Sequence, residues 1–276
     1  MIKVGRLSPR KSELYSSTLI RQTQSPELWR CLVCQSMFKQ NSISEENAAK
    51  LYAESSSIER WSAEMRGSQT FLDKKTATVA KVLLNAMNQA QSILDVGCND
   101  GLFLDCARDH GLITAGVEYS WEGREVCCSN GHKIYGALEE VNAKYDLITA
   151  FDVVEHLYDI TGFFNRCRNI LVRHGCIIIL TGDPDCLMAR IARQNWWYAS
   201  FPEHVLFPGS HYLASVDGFA LVKRLCVTHS RPGPRFPLRF ARALISNCRK
   251  GLLGGLFNSL SGVLPDHQLV VLRALD

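Results

Sequence analysis

The segment Asp95-Val96-Gly97-Cys98-Asn99-Asp100-Gly101 decides the fold of this 276-residue chain. It follows a short apolar run at residues 92–94 and leads into the apolar residues 102–104, where a helical pattern begins. This order predicts a strand, a tight glycine turn and a helix. Glycines let a backbone pass close to a ligand, and a helix N-terminus offers N–H groups without an intrahelical partner. The acid at the end of the strand, Asp95, favours a ligand that carries positive charge.

Outward from this turn, strand and helix patterns alternate along the chain. Such alternation predicts a parallel sheet that is covered by helices on both faces. The helix over 160–173 has the clearest apolar stripe, formed by Phe163, Phe164, Cys167, Ile170 and Leu171. The predicted strands are 92–96, 113–118, 132–135, 145–151, 176–181, 221–227 and 267–274, and the predicted helices are 101–110, 121–129, 138–143 and 160–173.

The sequence divides into three predicted regions. Residues 1–43 read as a polar leader and residues 44–91 as a helical cap segment, whose first helix is opened by a capping box of Ser42 and Glu45. Residues 92–276 form the main domain, with an insertion at 231–266 before the last strand.

The composition is typical of a water-soluble globular protein, with 46% hydrophobic and 21% charged residues. The first ten residues lack the apolar core of a signal peptide, and no run of 18 apolar residues predicts a spanning helix. The 11 cysteines do not follow the spacing of a disulfide framework. Reduced thiols and a cytoplasmic location are expected.

Two nucleotide-binding patterns compete for the glycine turn. The dinucleotide fingerprint needs glycines at its first, third and sixth positions. Counted from Gly97, the third position is Asn99 and the sixth is Leu102, so this pattern fails. The spacing Asp-x-Gly-x-x-x-Gly instead resembles motif I of the class I S-adenosylmethionine-dependent methyltransferases, with Asn99 in place of the usual middle glycine. S-adenosylmethionine carries an ammonium and a sulfonium, which agrees with the acid at residue 95.

This resemblance implies a Rossmann-like, doubly wound α/β fold whose seven-stranded, mostly parallel sheet has an antiparallel last strand. Glu118 ends the second strand, 23 residues after Asp95, where a carboxylate can accept two hydrogen bonds from a ribose diol. The implied cofactor-binding residues are Asp95, Gly97, Cys98, Gly101 and Glu118 for the methionine and ribose parts, Ala137 and Leu138 for adenine, and Phe151 and Asp152 near the reacting methyl group.

Two later segments extend the resemblance over roughly residues 92–230. Residues 145–157, YDLITAFDVVEHL, resemble the family's fourth strand and the turn that follows it. Residues 196–213, with Gly218-Phe219 beyond them, resemble a signature of small-molecule and sugar methyltransferases. The resemblance implies an acceptor pocket walled by aromatic side chains, with His204 as general base and Glu203 orienting it. The expected reaction is O- or C-methylation of a sugar or another small metabolite.

Two groups of residues raise the question of a metal. Cys31 and Cys34 form a C-x-x-C pair, whereas zinc needs four ligands, and no other cysteine or histidine precedes Cys98. The pair resembles the second half of the zinc ribbon of some sugar methyltransferases, so a remnant ribbon is expected. Asp152, Glu155 and His156 lie within one helical turn, where some related methyltransferases bind a metal, but capping and packing roles are expected. No metal is predicted.

The net charge of +4 is uneven, because residues 221–250 contain eight basic and no acidic side chains. A solvated face, contact with an anionic substrate or membrane surface, and nucleic-acid binding stay open for this interval. Alternative functions are a non-catalytic S-adenosylmethionine-binding protein and an enzyme with a lipophilic, quinone-type acceptor. A nucleic-acid acceptor is disfavoured, because residues 151–154 lack the proline and final aromatic residue of amino-methylating nucleic-acid enzymes.

Overall fold

A computed structural model describes residues 1–7, 26–54, 90–228 and 265–276 of the chain. These residues form two sheets joined by helices. The smaller, antiparallel sheet has the order β1-β2-β3-β9, and the larger one has the order β10-β11-β8-β7-β4-β5-β6. The small sheet contains β1 (Ile2–Arg6), β2 (Glu27–Arg30), β3 (Met37–Gln40) and β9 (Leu206–Phe207). The large sheet contains β4 (Ser92–Val96), β5 (Ile113–Val117), β6 (Lys133–Tyr135), β7 (Tyr145–Phe151), β8 (Leu171–Gly182), β10 (Phe219–Val227) and β11 (His267–Ala274).

The large sheet confirms the predicted α/β architecture. Strands β6, β5, β4, β7 and β8 pair in parallel, while β11 pairs antiparallel with both β8 and β10. The carboxyl ends of the parallel strands therefore share one edge, where ligands bind in open α/β sheets.

Helices cover this sheet and connect its strands. The α-helices are α1 (Glu45–Glu54), α2 (Leu102–Asp109), α3 (Trp121–Ser129), α4 (Ile160–Ile170), α5 (Leu187–Ala192) and α6 (Ser210–Ala214), and short 3-10 helices span Leu138–Glu140, Val154–His156, Arg193–Asn195 and Trp197–Ser200.

Side chains that alternate along the central strands form a core on each face of the sheet. On β4, Ile93 belongs to one buried cluster and Leu94 to the other, as expected for a period of two residues. The predicted apolar stripe of α4 is buried at Phe163, Phe164 and Cys167. Burial on both faces explains why the parallel strands are almost continuously apolar.

Several predicted boundaries differ from the structure: the strand predicted at 176–181 spans Leu171–Gly182, and three helices differ as well. The helix predicted over 138–143 is only a 3-10 turn at Leu138–Glu140, and α4 ends at Ile170 because Leu171 leaves the helix to pair with Tyr145. Helix α1 is capped by Ser44, whose hydroxyl accepts the Asn47 N–H at 3.3 Å, instead of by the predicted box that includes Ser42. Residues 55–89 of the cap segment and residues 231–264 of the insertion lie outside the described residues.

The segment predicted as a leader contains strands β1 to β3, which the sequence analysis did not predict. This small sheet packs Leu28 and Met37 against Trp196 and Phe207 in one buried cluster. The Cys31–Cys34 pair occupies the turn between β2 and β3, with both thiols half-buried.

All ten cysteines of the described ranges are free thiols. Within the same ranges, no helix has the length and apolar character needed to cross a bilayer.

Candidate active site

The glycine turn after β4 adopts a conformation that few residue types tolerate. Gly97, Asn99 and Gly101 have φ values of 74°, 53° and 80°, all in the left-handed region. A side chain at Gly97 would place its Cβ 2.7 Å from Cγ2 of Val153, so glycine is also required for space. The turn therefore runs directly beneath the segment that follows β7.

Asn99 occupies the position of the motif's usual middle glycine, and it adopts the left-handed conformation. Asparagine is one of the few non-glycine residues that enter the left-handed region readily. Its backbone N–H donates to Oε2 of Glu118 at 2.8 Å, and its carbonyl accepts from the Cys127 thiol at 3.1 Å. The turn thus closes through the backbone of Asn99, onto the acid at the end of β5.

Glu118 lies where the sequence predicts a ribose-binding carboxylate. Its Oε1 accepts the Ser120 N–H at 2.8 Å, and each carboxylate oxygen has a further lone pair for a ligand hydroxyl. Burial raises the pKa of Glu118, while hydrogen bonds from backbone N–H groups act in the opposite direction. The adjacent Tyr119 is 64% exposed, although it is a large aromatic side chain. Tyr119 was not among the predicted site residues, although its position directly after the strand-end acid was an available signal.

Asp95 and Cys98 contribute to the turn in different ways. The Asp95 carboxylate is buried and accepts the Thr149 hydroxyl at 2.6 Å, which ties β4 to β7. The Cys98 side chain points into the protein, with its sulfur 3.9 Å from that of Cys127. The hydrogen bond to Cys127 and burial raise the pKa of the Cys98 thiol. The Cys98 backbone is therefore the part that faces the turn.

The remaining predicted cofactor residues divide into buried and partly exposed ones. The Leu138 side chain is in the core, and the Phe151 ring packs edge-on against Phe103 with 5.1 Å between the centroids. Ala137 and Asp152 are half-buried next to them, and Asp152 has a φ of 54° at the end of β7. Leu138 and Phe151 are thus core residues under the carboxyl edge of the sheet, while Ala137 and Asp152 lie nearer to solvent.

Directly after β7, Glu155 forms a buried polar centre. Its two carboxylate oxygens accept hydrogen bonds from the hydroxyls of Thr181, at 2.8 Å, and Tyr198. Burial, reinforced by the charge of Asp152, raises the pKa of Glu155 to about 7. The carbonyl of Glu155 also accepts the Val205 N–H at 2.8 Å. These bonds attach the aromatic segment 196–207 to the carboxyl ends of β7 and β8.

His204 is held in one orientation within that segment. Its Nδ1 lies 2.9 Å from the carbonyl oxygen of Tyr198, and because a carbonyl only accepts, Nδ1 carries the hydrogen. Nε2 of the neutral ring is then the atom with a lone pair. Burial lowers the pKa of His204 well below its usual range, and the nearby His156 and Lys39 act in the same direction. The hydrogen-bond partner of Nδ1 is the Tyr198 carbonyl, whereas Glu203 was predicted to orient the ring.

The aromatic residues of this segment have two separate roles. Trp196 and Phe207 are almost completely buried among side chains of the small sheet, so they anchor the segment. The rings of Tyr198 and Phe201 flank His204, with centroid separations of 4.3 and 5.0 Å. The sequence predicted aromatic residues around the acceptor but could not separate these two groups.

Glu155, His156 and His204 bring one potential metal-binding atom each to within 4.8 Å of one another. Both oxygens of Glu155 already accept hydroxyl hydrogens, and the positive charge of Lys39 acts on both histidines. We assign no metal to this cluster, and the absence of a metal stays a prediction.

Comparison with known proteins agrees with this geometry. A protein-family model described as a methyltransferase domain matches residues 67–216, which is more than half of the chain. The chain belongs to the methyltransferase family. This membership confirms the resemblance to class I S-adenosylmethionine-dependent methyltransferases that motif I indicated.

The chain is also similar to a curated ubiquinone biosynthesis O-methyltransferase of Bradyrhizobium diazoefficiens, with 28% identity over 98 residues. That match spans 32% of this chain and 39% of the length of the relative.

Two solved methyltransferases show the same fold at low identity. Coclaurine N-methyltransferase, bound to N-methylheliamine and SAH (S-adenosylhomocysteine), is similar with a TM-score of 0.50 and 14% identity over 71% of this chain and 72% of that chain. The plantazolicin methyltransferase BpumL, in complex with a triazolic desmethylPZN analog and SAH, is similar with a TM-score of 0.52 and 14% identity over 80% of this chain and 91% of that chain.

Proposed function

We propose that this protein transfers the methyl group of S-adenosylmethionine to an oxygen or carbon of a small-molecule acceptor, a sugar or another metabolite. One observation carries the proposal. The glycine turn closes onto Glu118 at the carboxyl edge of the sheet, and the hydrogen bonds that Glu155 accepts from Tyr198 and Val205 hold the His204 segment at the same edge. A cofactor site and a candidate base are thereby joined through β7.

The residues at the turn fit this cofactor. Glu118 offers acceptors for a ribose diol, and the carboxylate of Asp95 complements positive charge. Oδ1 of Asn99 is buried and has no hydrogen-bond partner among the residues that the structure describes, so it can accept from a ligand. The exposed ring of Tyr119, next to Glu118, offers a flat face to an adenine. When bound, S-adenosylmethionine supplies an electrophilic methyl group on its sulfonium.

The chain's own contribution is to position the acceptor and to accept its proton. Because the Tyr198 carbonyl fixes Nδ1–H of His204, Nε2 can take a proton from an acceptor hydroxyl. The low pKa of His204 keeps this ring neutral at pH 7. In a displacement of this kind, alignment of the reacting atoms contributes much of the rate enhancement. Tyr198 and Phe201 flank the ring and limit the access of water.

We also propose that the chain consists of an N-terminal segment, a cap segment and a catalytic domain. Residues 1–43, which include the C-x-x-C turn, and the cap segment at 44–91 precede a catalytic domain at 92–276. We expect the cap segment and the insertion 231–266 to cover the acceptor site. A role of the N-terminal residues at the acceptor site is supported by the small sheet, because its strand β3 pairs with β9 next to His204. The free thiols of the described cysteines support a cytoplasmic location.

Not every basic residue of the interval 221–250 is available to bind an anionic partner. Arg224 is committed to an ion pair with Asp183 at 2.7 Å and a hydrogen bond to Gln268 at 2.8 Å. Lys223 is exposed, while the basic residues from 231 onward lie outside the described ranges. Contact of this interval with an anionic acceptor or a membrane surface remains part of the proposal through those residues.

Isothermal titration calorimetry with S-adenosylmethionine and S-adenosylhomocysteine tests the cofactor. Binding of both supports the proposal, and binding of neither at about 1 mM would contradict it. If both bind, a methyl-transfer screen over small-molecule extracts, with mass identification of the methylated product, separates an enzyme from a non-catalytic cofactor-binding protein.

A quinone-type acceptor is the second candidate, because the curated relative is a ubiquinone biosynthesis O-methyltransferase. Adding lipophilic phenols and simple sugars as separate pools in the same screen distinguishes the two acceptor classes. Methylation of the phenol pool alone would replace the sugar proposal.

A further inference from the structure

Lys39 is a buried lysine that belongs to the candidate active site, although it comes from the small sheet. It lies on β3 and is only 8% exposed, which is rare for a lysine. Its backbone N–H donates to the Val205 carbonyl at 2.9 Å, and its amine donates to the Phe201 carbonyl. Both acceptors lie on the short segment that carries His204. Lys39 therefore contacts this segment on either side of the histidine.

The amine lies in a pocket of aromatic and charged groups. Its nitrogen is 6.0 Å from the centroid of the Phe207 ring. Glu203, which is 6% exposed, has a buried Oε2 without a hydrogen-bond partner within the described ranges. The charge of Glu203 favours the protonated form of Lys39, whereas burial is the larger influence and lowers the pKa of Lys39 to about 7. Burial and the charge of Glu203 thus act on the Lys39 amine in opposite directions, unlike at a surface lysine that only covers apolar area.

The charge of this amine affects the pKa values of the two histidines of the site. The rings of His156 and His204 pack edge-on, with 4.8 Å between the centroids. Burial is the main cause that lowers the pKa of each ring, and the positive charge of Lys39 lowers both further. The titratable or charged groups around His204 come from four places. They are Lys39 on β3, Asp152, Glu155 and His156 in the turn after β7, Tyr198 and Glu203 in its own segment, and His267 at the start of β11 with Asp266 just before it.

We propose that Lys39 is a positioning residue of the acceptor site. Its amine holds the His204 segment through the Phe201 carbonyl, and its charge disfavours protonation of His204, so that Nε2 stays available as a base. The role as a base rests on the proposed function, whereas the electrostatic coupling between Lys39 and His204 does not. A purely structural lysine would hold the segment without affecting the titration of the histidine.

Three substitutions separate charge from hydrogen bonding. Lys39→Gln removes the charge but keeps an N–H donor for the Phe201 carbonyl, Lys39→Met removes both, and Lys39→Arg keeps the charge. Lys3→Met is the matched control, because Lys3 lies on β1 of the same sheet and pairs with Glu27, away from His204. Circular dichroism confirms that each variant is folded before it is compared.

The readout is an NMR titration of the imidazole signals in the full chain, with the His204 signals assigned by their loss in His204→Asn. We expect the His204 titration to move to higher pH in Lys39→Gln and Lys39→Met, and to stay unchanged in Lys39→Arg and Lys3→Met. An unchanged titration in Lys39→Gln would overturn the proposal, and so would an equal shift in Lys39→Arg. If Lys39→Met does not fold, the comparison of Lys39→Gln with Lys39→Arg decides.

The titration needs neither cofactor nor acceptor, so it remains valid if calorimetry shows no cofactor binding. Binding of S-adenosylhomocysteine by Lys39→Gln is expected to equal that of the unmodified protein, because no cofactor-binding role is assigned to Lys39. Once an acceptor is known, the acid limb of the kcat/KM profile should move to higher pH in Lys39→Gln, in step with the NMR titration.

Discussion

Gly97 provides the sharpest test of how the turn is built. In Gly97→Ala, the new side chain must adopt a φ of 74°, which costs about 1–2 kcal/mol for a residue with a Cβ. The Cβ also lies 2.7 Å from Cγ2 of Val153, and relieving such overpacking costs about 1–3 kcal/mol. Together these two effects predict a loss of roughly 2–5 kcal/mol in the free energy of unfolding.

Gly111→Ala is the matched control for the backbone contribution. Gly111 has a φ of 85°, but an added Cβ there meets no atom within 4 Å. This variant should lose only about 1–2 kcal/mol, because the contact energy is absent. Urea unfolding followed by circular dichroism measures both losses, and an unchanged m-value shows that only stability has changed.

A double-mutant cycle with Val153→Ala isolates the contact itself. Removing the Val153 methyl groups should recover about 1–3 kcal/mol in the Gly97→Ala background, relative to the sum of the single effects. Equal losses in Gly97→Ala and Gly111→Ala, or additivity in the cycle, would refute the packing explanation. Because the turn is also the proposed cofactor site, Gly97→Ala should bind S-adenosylhomocysteine more weakly than Gly111→Ala does.

Three further predictions concern the acids and the base of the site. Glu118→Gln should weaken S-adenosylhomocysteine binding by about tenfold or more in calorimetry, because hydrogen bonds to a charged group contribute about 1.5–3 kcal/mol. The control is Glu139→Gln at an exposed position, which should have no effect. Glu155 has a pKa of about 7 in the native state, against an ordinary value of 4.5. Between pH 4.5 and pH 7 the native state therefore binds more protons than the unfolded state. As a result, the contribution of Glu155 to the free energy of unfolding falls as pH rises through that window. Urea unfolding at pH 5, 6 and 7 should therefore show that the difference in unfolding free energy between the unmodified protein and Glu155→Gln falls by about 2 kcal/mol across this range. A difference that does not change with pH would exclude Glu155 as its source. His204→Asn should lower kcat on the identified acceptor by about 100-fold or more while the binding of S-adenosylhomocysteine stays constant, and unchanged turnover would remove the assignment as base.

Much of the large sheet was predictable because its signals are local. The strands at 92–96, 145–151 and 267–274 have the predicted bounds, since each is a short apolar run bounded by residues that end a strand. The helix predicted to reach residue 173 ends at Ile170 because strand pairing of Leu171 with Tyr145 outweighs its helical pattern. Pairing of this kind depends on a distant segment, which periodicity does not reveal.

The small sheet was missed for the same reason. Its strands have four or five residues in β1 to β3 and two in β9, and the last of them comes from the aromatic segment more than 160 residues later. A short polar hairpin such as β2-β3 has no strong pattern of its own. Its burial of Leu28 and Met37 against Trp196 and Phe207 supplies the stability that the local sequence lacks.

The heptapeptide at 95–101 shows where the sequence was sufficient and where it was not. By itself it predicted the strand, the turn and the helix, because glycine spacing and an acid at a strand end are local features. The family was indicated only when Glu118 and the segment 152–156 were added to it. Only the tertiary structure decided that Asn99 fills the left-handed position and closes the turn onto Glu118. Only the tertiary structure brought Lys39 and the Tyr198 carbonyl to His204, because burial and contacts between distant segments determine which polar groups share a site.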